Sequence, residues 1–437
     1  MNKLTKTALL ASGVALAAAF SAPSFAQDTI NLPNLTYRTG PFATSGIPLA
    51  NGQADYLTML NERDGGINGL KIDGSECETG YNTEKGVECY EKTKGTALVT
   101  QPWSTGITLQ VLPKAAVDKR AIFAAGYGFS AMQDGATFPW SFNPPSSYWD
   151  GASILLQAIS DGNLDNLKGK KIALLHLDHP YGKEPIPLLE DYAKKVGFEL
   201  LLIPVGLKEM QNQSAQWLQI RREKPDFVLM WGWGAMNGGA LTEAAKTGYP
   251  MNQFAGIWWS GHDADLKLVG EKGKGYRSVS FSFPNSESKV MQDVKKLVLD
   301  AGKSKADVAG GEAESVFYQR GIVLSAIMAE AVTAAQKNFN TNKIDADQFR
   351  WGMENVKFTP ERIAELGLDG MVVPFSTSCS NHTGHGGGWI LEWDGAKFNK
   401  TSDTIYQADR ASIDPLAAAK AKEYADANQP WATQTCQ

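Results

Sequence analysis

The feature that most restricts this chain is a serial alternation of short apolar runs with stretches of helical periodicity. Residues 70–77, 96–100 and 121–125 read as strands, with helices at 52–62, 83–94 and from Ile107 onward. A second series follows Trp140-Ser141-Phe142-Asn143-Pro144-Pro145. Its strands fall at 170–176, 198–204, 226–231 and 254–259, and its helices at 148–160, 188–196, 215–222 and 236–246. A helix between successive strands forces crossovers, so the strands pair in parallel and are covered on both faces. The expected class is α/β, with two doubly wound blocks in series.

Length agrees, because 437 residues exceed what one hydrophobic core comfortably serves. Past the second block the pattern shifts. Val279, Phe281 and Phe283 alternate, which predicts a strand half exposed to solvent. Phe317, Gly321, Leu324, Met328 and Ala331 recur at helical spacing, a stripe read as core packing. Residues 388–395 read as a strand running into a tight turn.

The first residues bear on compartment. Lys3 and Lys6 precede an apolar run over 8–20, and Ser24-Phe25-Ala26 follows it. This is the layout of a secretory signal peptide over 1–26, cleaved near Ala26. The run is too short to anchor in a bilayer. The expected location is the periplasm. Net charge is −5 with no basic cluster, which argues against nucleic acid as a partner. Four cysteines in an exported chain suggest two disulfides, for which three pairings exist. Cys77–Cys89 and Cys379–Cys436 are favoured. The first joins a strand end to the next helix, and the second ties down the tail. Zinc is the weaker alternative, since the cysteine spacing matches no close ligand pair.

No GxSxG elbow, HExxH, P-loop or post-strand GxGxxG is present, and no cofactor or metal is expected. His176 and His179 lie close in sequence, as do His382 and His385, while His262 stands alone. Asp178, Asp263 and Asp265 lie near strand ends. They serve equally as acids, as partners of an ammonium group or as helix caps.

Ligands of open α/β sheets gather at the carboxyl ends of strands. Those ends here carry Thr39-Gly40-Pro41, Trp103-Ser104-Thr105, Gly126-Tyr127, Tyr181-Gly182, Trp231-Gly232-Trp233 and Trp258-Trp259-Ser260. Aromatic area interleaved with a few polar groups suits a small, partly apolar molecule. The turn at Trp103-Ser104-Thr105 opens a helix. Its free N–H groups and hydroxyls form a candidate carboxylate grip. An ordinary capped turn also accounts for that stretch taken alone.

Gly40-Pro41 with Gly46, the run Asn61-Glu62-Arg63-Asp64-Gly65-Gly66-Ile67-Asn68-Gly69, and Tyr181-Gly182 after the strand at 172–177 resemble type I periplasmic solute-binding proteins. The subgroup is the leucine/isoleucine/valine-binding proteins of ABC importers. Cys379, His382-Thr383-Gly384 and Trp393-Asp394-Gly395 are similar to a branched-chain amino-acid branch, and the wider group takes amides, urea and aromatic carboxylates. The resemblance implies two α/β lobes, three crossovers and a ligand cleft between them. Lobe 1 would comprise 27–145 plus 281–370, and lobe 2 would comprise 146–280 plus 371–437.

Carried over residue by residue, the resemblance gives Ser104 and Thr105 the carboxylate-binding hydroxyls and Gly126 and Tyr127 the next turn. It gives Tyr181, Trp231 and Trp233 the aromatic cover, and it puts Asp263 near the acid that pairs with a ligand ammonium. Trp103 stands where the family often has a further hydroxyl. The implied protein is a monomer that captures an amino acid or aromatic carboxylate and delivers it to ABC permease subunits. A periplasmic sensor is the alternative in the same class. A secreted hydrolase using Asp178 and His179 is the alternative in another.

Overall fold

The computed structural model describes residues 29–436, so the expected signal segment and its cleavage site lie outside the described residues. The first lobe carries seven short strands: β1 (Thr29–Asn31), β2 (Asn34–Thr36), β3 (Lys71–Asp73), β4 (Glu76–Glu78), β5 (Val99–Thr100), β6 (Ala121–Phe123) and β7 (Ser141–Phe142). All their pairings are parallel: β1 with β3, β2 with β4, and β5–β6–β7 in order. The pieces belong to one interrupted sheet. Pro33, which has no N–H, separates β1 from β2. Leu32 and Asn34 still donate across to Asp73 and Ser75. A bridge from Asn34 to Gln101 joins β2 to β5.

The second lobe holds β8 (Lys171–Leu177), β9 (Glu199–Val205), β10 (Phe227–Trp231), β11 (Phe254–Gly256) and β12 (Arg277–Ser280). Two short strands, β13 (Lys357–Phe358) and β14 (Phe375–Ser376), pair with each other. β15 (Trp389–Trp393) and β16 (Phe398–Lys400) then complete a seven-stranded sheet ordered β16-β15-β12-β11-β10-β8-β9. Its β8 to β12 portion is parallel, and β15 and β16 run antiparallel. β8 is buried at six of its seven positions, as its unbroken apolar run requires. The chain passes between lobes after β7, after β12 and before β15, which makes the three crossovers.

Helix Val316–Phe339 returns to the first lobe and lies along helix Ala43–Arg63. The contact is backbone on backbone. A Cβ at Gly52 would sit 1.9 Å from the Tyr318 carbonyl oxygen, and one at Gly321 would sit 2.3 Å from that of Leu49. No larger residue fits at either position. Helix Ala43–Arg63 begins nine residues before the expected start at Gly52. Its early turns bury Ser45, Asn51 and Gln53, so the apolar periodicity is faint there.

Two expectations require correction. The strand expected over 70–77 is two strands broken at Gly74 and Ser75. The strand expected to be half exposed around 279–283 is buried on both faces, since Ser280 and Ser282 are as buried as Val279 and Phe281, and β12 ends at Ser280. The disulfides Cys77–Cys89 and Cys379–Cys436 are both formed. The tail beyond helix Arg410–Ala427 straddles the lobes. Trp431 donates to the Thr137 carbonyl at 2.6 Å, and the Gln434 N–H donates to that of Ala136. Among the described residues no helix is long and apolar enough to cross a membrane.

Candidate functional site

Strand order changes direction at two places, and the site lies between them. In the second lobe β8 is flanked by β9 and β10, and in the first lobe β2 is flanked by β4 and bridged to β5. Such switch points leave a crevice beyond the strand ends. Tyr37 follows β2, Trp103-Ser104-Thr105 follows β5, Tyr181 follows β8 and Trp233 follows β10. The two crevices face each other across the interlobe cleft. Their side chains form one aromatic cluster.

The Tyr127 ring stacks on Trp259 at 4.2 Å, and Trp259 meets Trp233 edge-on at 5.0 Å. Tyr37 lies 4.9 Å from Tyr81 and 6.1 Å from Trp233. Tyr148 lies 5.3 Å from Tyr181 and 5.7 Å from Trp258. Phe317 closes one side against Trp233 and Trp259. Trp103, Tyr127, Tyr181, Trp233, Trp258 and Trp259 are each no more than 1% exposed.

Polar links cross the cluster. The hydroxyls of Tyr37 and Tyr127 are 2.6 Å apart. The Gly126 carbonyl accepts both indole N–H groups of Trp258 and Trp259, at 3.2 and 3.0 Å. The Gly126 N–H goes to Asn143 Oδ1 at 2.6 Å. Gly126 is therefore a bracket between the lobes, with its backbone donor already engaged. Tyr181 donates to the Gly232 carbonyl at 2.9 Å. Burial raises the phenols of Tyr37, Tyr127, Tyr148 and Tyr181 well above their ordinary range, so all four remain protonated.

The turn that opens helix Thr105–Asp118 has the expected N-cap. Ser104 Oγ accepts the Ile107 N–H at 3.4 Å, and Thr105 Oγ1 accepts the Gly128 N–H at 3.2 Å. Ser104 also lies in hydrogen-bond reach of the Tyr81 phenol, and Thr105 of the Tyr148 phenol. Trp103 takes φ 43°, Tyr81 62° and Ala125 55°. Left-handed backbone at non-glycine residues costs of order 1–3 kcal/mol each and tends to gather where a site demands it. Three such residues flank this cluster.

The indole Nε1 atoms of Trp103 and Trp233 are buried and have no hydrogen-bond partner. Trp231 is fully buried with the same free Nε1, and neither it nor Trp103 makes a ring contact with the cluster among the described residues. Asp263 also stands apart. Its carboxylate accepts the Val316 N–H at 3.2 Å and lies near Lys267, so it caps the N-terminus of helix Val316–Phe339. Asp265 accepts from Asn237 at 3.0 Å, and burial pushes its carboxyl up.

Several contributors escaped sequence reasoning as site residues: Tyr37, Tyr81, Tyr148, Phe317 and Arg320. The signal for Arg320 was a cation beside the apolar stripe of helix Val316–Phe339, far from the Lys337 of its last turn. The histidines have structural surroundings. His382 stacks on Phe142 at 4.0 Å and bonds the Ser141 carbonyl, and His179 Nδ1 caps the Tyr181 N–H. Asp178 pairs with Lys183 at 2.6 Å, which holds its carboxyl below the usual range. Asp178 and His179, the residues of the alternative hydrolase reading, share no hydrogen bond or ion pair among the described residues, and no group of three or more potential metal ligands is assembled there.

Comparison with known proteins agrees with this geometry. A family model described as periplasmic binding protein matches residues 29–399. The crystal structure of an ABC transporter permease from the Pseudomonas fluorescens group is 35% identical, over 94% of this chain and 100% of that one, with a TM-score of 0.86. A branched-chain amino acid ABC transporter protein from Thermus thermophilus with bound valine is 20% identical, over 89% and 99%, with a TM-score of 0.74. A solute-binding protein from Rhodopseudomonas palustris in complex with benzoate is 17% identical, over 88% and 98%, with a TM-score of 0.67. A search of curated protein sequences found no match.

Proposed function

The chain belongs to the periplasmic binding protein family, and on that premise we propose that it is the solute-binding component of an ABC importer. It captures a small carboxylate-bearing ligand by closing its lobes over it, and its other partners are membrane permease subunits that accept the closed form. The observation that carries this reading is the aromatic cluster completed from both lobes, with the hydroxyl-bearing turn at its edge.

In this reading Ser104 and Thr105 grip the carboxylate, and Trp103, Tyr127, Tyr181 and Trp233 enclose the body of the ligand. A helix N-terminus contributes only about 0.3–2 kcal/mol to a carboxylate. Desolvation costs several kcal/mol, so the hydroxyls supply charge-assisted bonds of about 1.5–3 kcal/mol each. The lobe boundaries that fit are 27–145 plus 281–370 and 146–280 plus 371–437, in a monomer released by cleavage near Ala26.

A thermal-shift screen of the mature protein against amino acids, amides and aromatic or aliphatic acids tests the reading. One chemical class should raise the melting temperature by mass action. A screen in which no solute moves it would refute solute capture.

A further inference from the structure

The cluster holds a full positive charge and no carboxylate. Arg320 is 1% exposed. Its guanidinium donates to Ser282 Oγ at 3.0 Å, the Trp258 carbonyl at 2.9 Å and Ser280 Oγ at 2.9 Å, all neutral acceptors. No ion pair among the described residues includes it. The guanidinium carbon lies 5.0 Å from the Trp259 ring and 5.1 Å from each of Phe281 and Phe317. Burial draws the group down to about 9, which leaves it charged at neutral pH.

Acids on the surrounding elements are committed elsewhere. Asp263 takes the Val316 N–H, Asp265 takes Asn237, and Asp55 takes the Tyr318 hydroxyl and Ser304. His262 stacks on Phe317 at 4.1 Å and adds no negative charge. Trp233 Nε1, the unpartnered atom on a ring of the cluster, can only donate, while His262 Nδ1 and Asn237 Oδ1, on residues that touch Phe317 and Trp259, are unpartnered as well and carry no negative charge. The four buried phenols are protonated as well.

We propose that the solute is an amine-free anion, a flat or branched carboxylate, whose charge Arg320 balances and one of whose oxygens takes the indole N–H of Trp233. The inference rests on the solute-binding reading above and narrows it. An ammonium group in this cleft would be desolvated beside a buried cation with no acid to meet it. Arg320 acts through Trp259, which stacks on Tyr127, so it is a positioning residue that sets the sign of the field.

The test is titration calorimetry on the mature protein with matched pairs: 3-phenylpropanoate against phenylalanine, and 4-methylpentanoate against leucine. The acid of at least one pair should bind about 100-fold tighter than its amino acid. Arg320→Gln should shrink that ratio to below about tenfold, and Arg320→Lys should restore it by returning the charge. Trp233→Phe, which keeps a ring and removes the donor, should weaken the acid about tenfold.

An amino acid that binds as tightly as its acid overturns the inference and leaves solute capture standing. An equal loss for both members in Arg320→Gln makes Arg320 merely structural and overturns its role. Unchanged acid affinity in Trp233→Phe overturns the donor assignment. Binding by neither pair overturns the inference, and the broader screen then judges the function separately.

Discussion

The two walls of the cleft reach the same cluster by different means. The first-lobe wall hangs on turns at the ends of two- and three-residue strands, with Tyr81, Trp103 and Ala125 in left-handed backbone. It contributes the hydroxyls of Ser104 and Thr105 and the phenols of Tyr37 and Tyr127. The second-lobe wall stands on a seven-stranded sheet in which β8 is buried almost throughout. It contributes indoles, held by bonds to Gly126 and backed by Arg320. In the proposed reading the strained wall carries the hydroxyls for the charged end, and the rigid wall carries area together with the Trp233 donor. A sheet end offers stable aromatic surface at little cost, whereas convergent donors require backbone that ordinary turns do not supply.

The largest effect should come from the first wall. Ser104→Ala with Thr105→Ala removes two charge-assisted bonds, so affinity should fall by about 10²–10⁴-fold in calorimetry. Loss of the Ser104 cap should cost only about 1 kcal/mol of stability. A comparable loss of folding would make the turn structural and erase the contrast.

A control lies away from both walls. Opening Cys379–Cys436 releases a 57-residue separation, against 12 for Cys77–Cys89. Chain entropy puts these at about 4 and 3 kcal/mol, measurable by denaturant unfolding of Cys→Ser pairs. Ligand affinity, read on the still-folded fraction, should change little in either.

On the second wall, Trp259→Phe keeps an aromatic ring but breaks the bonds to Gly126 and Tyr148. A loss of about tenfold in affinity is expected. A loss as large as that of the hydroxyl double variant would place charge recognition on this wall too.

The smallest effect concerns the contact between lobes. Glu184 follows Tyr181 and accepts the Ser130 N–H and hydroxyl at 2.7 and 2.8 Å. Burial pushes its carboxyl up to about 8. The folded chain therefore binds this proton more tightly than the unfolded chain, and stability falls as pH rises from the ordinary carboxylate range towards 8. Glu184→Gln should flatten that slope and raise the melting temperature at pH 8 by about 2–4 °C. An unaltered melting profile across pH 5–8 would remove Glu184 from the contact's energetics.

Legibility followed from how local each cause was. The strand at 171–177 and the helix stripe from Phe317 were plain, because unbroken apolar runs and helical spacing are local patterns. The start of helix Ala43–Arg63 was hidden, because it buries small and polar residues against another helix. The serines alternating with Phe281 defied the expected exposure because Arg320, remote in sequence, covers and bonds Ser280 and Ser282. Of the candidate residues, Trp103, Ser104 and Thr105 follow β5, Tyr181 follows β8 and Trp233 follows β10, all strands at the switch points, while Tyr127 follows β6. Asp263 does not face the crevices, since its carboxylate caps the helix that starts at Val316. No rule of spacing distinguishes an acid aimed into a cleft from one that caps a helix.

By itself the sequence determined the class of sheet, the two-lobed division and the chemistry carried at strand ends, since each follows from local periodicity and turn residues. Tertiary structure alone decided which of those ends meet, that Gly126 brackets two indoles, and that Arg320 enters the cluster without a counter-charge. Charge balance is a sum over neighbours in space. Arg320 meets Trp258 from 62 residues away and Ser282 from 38, and nothing in a local window records that sum.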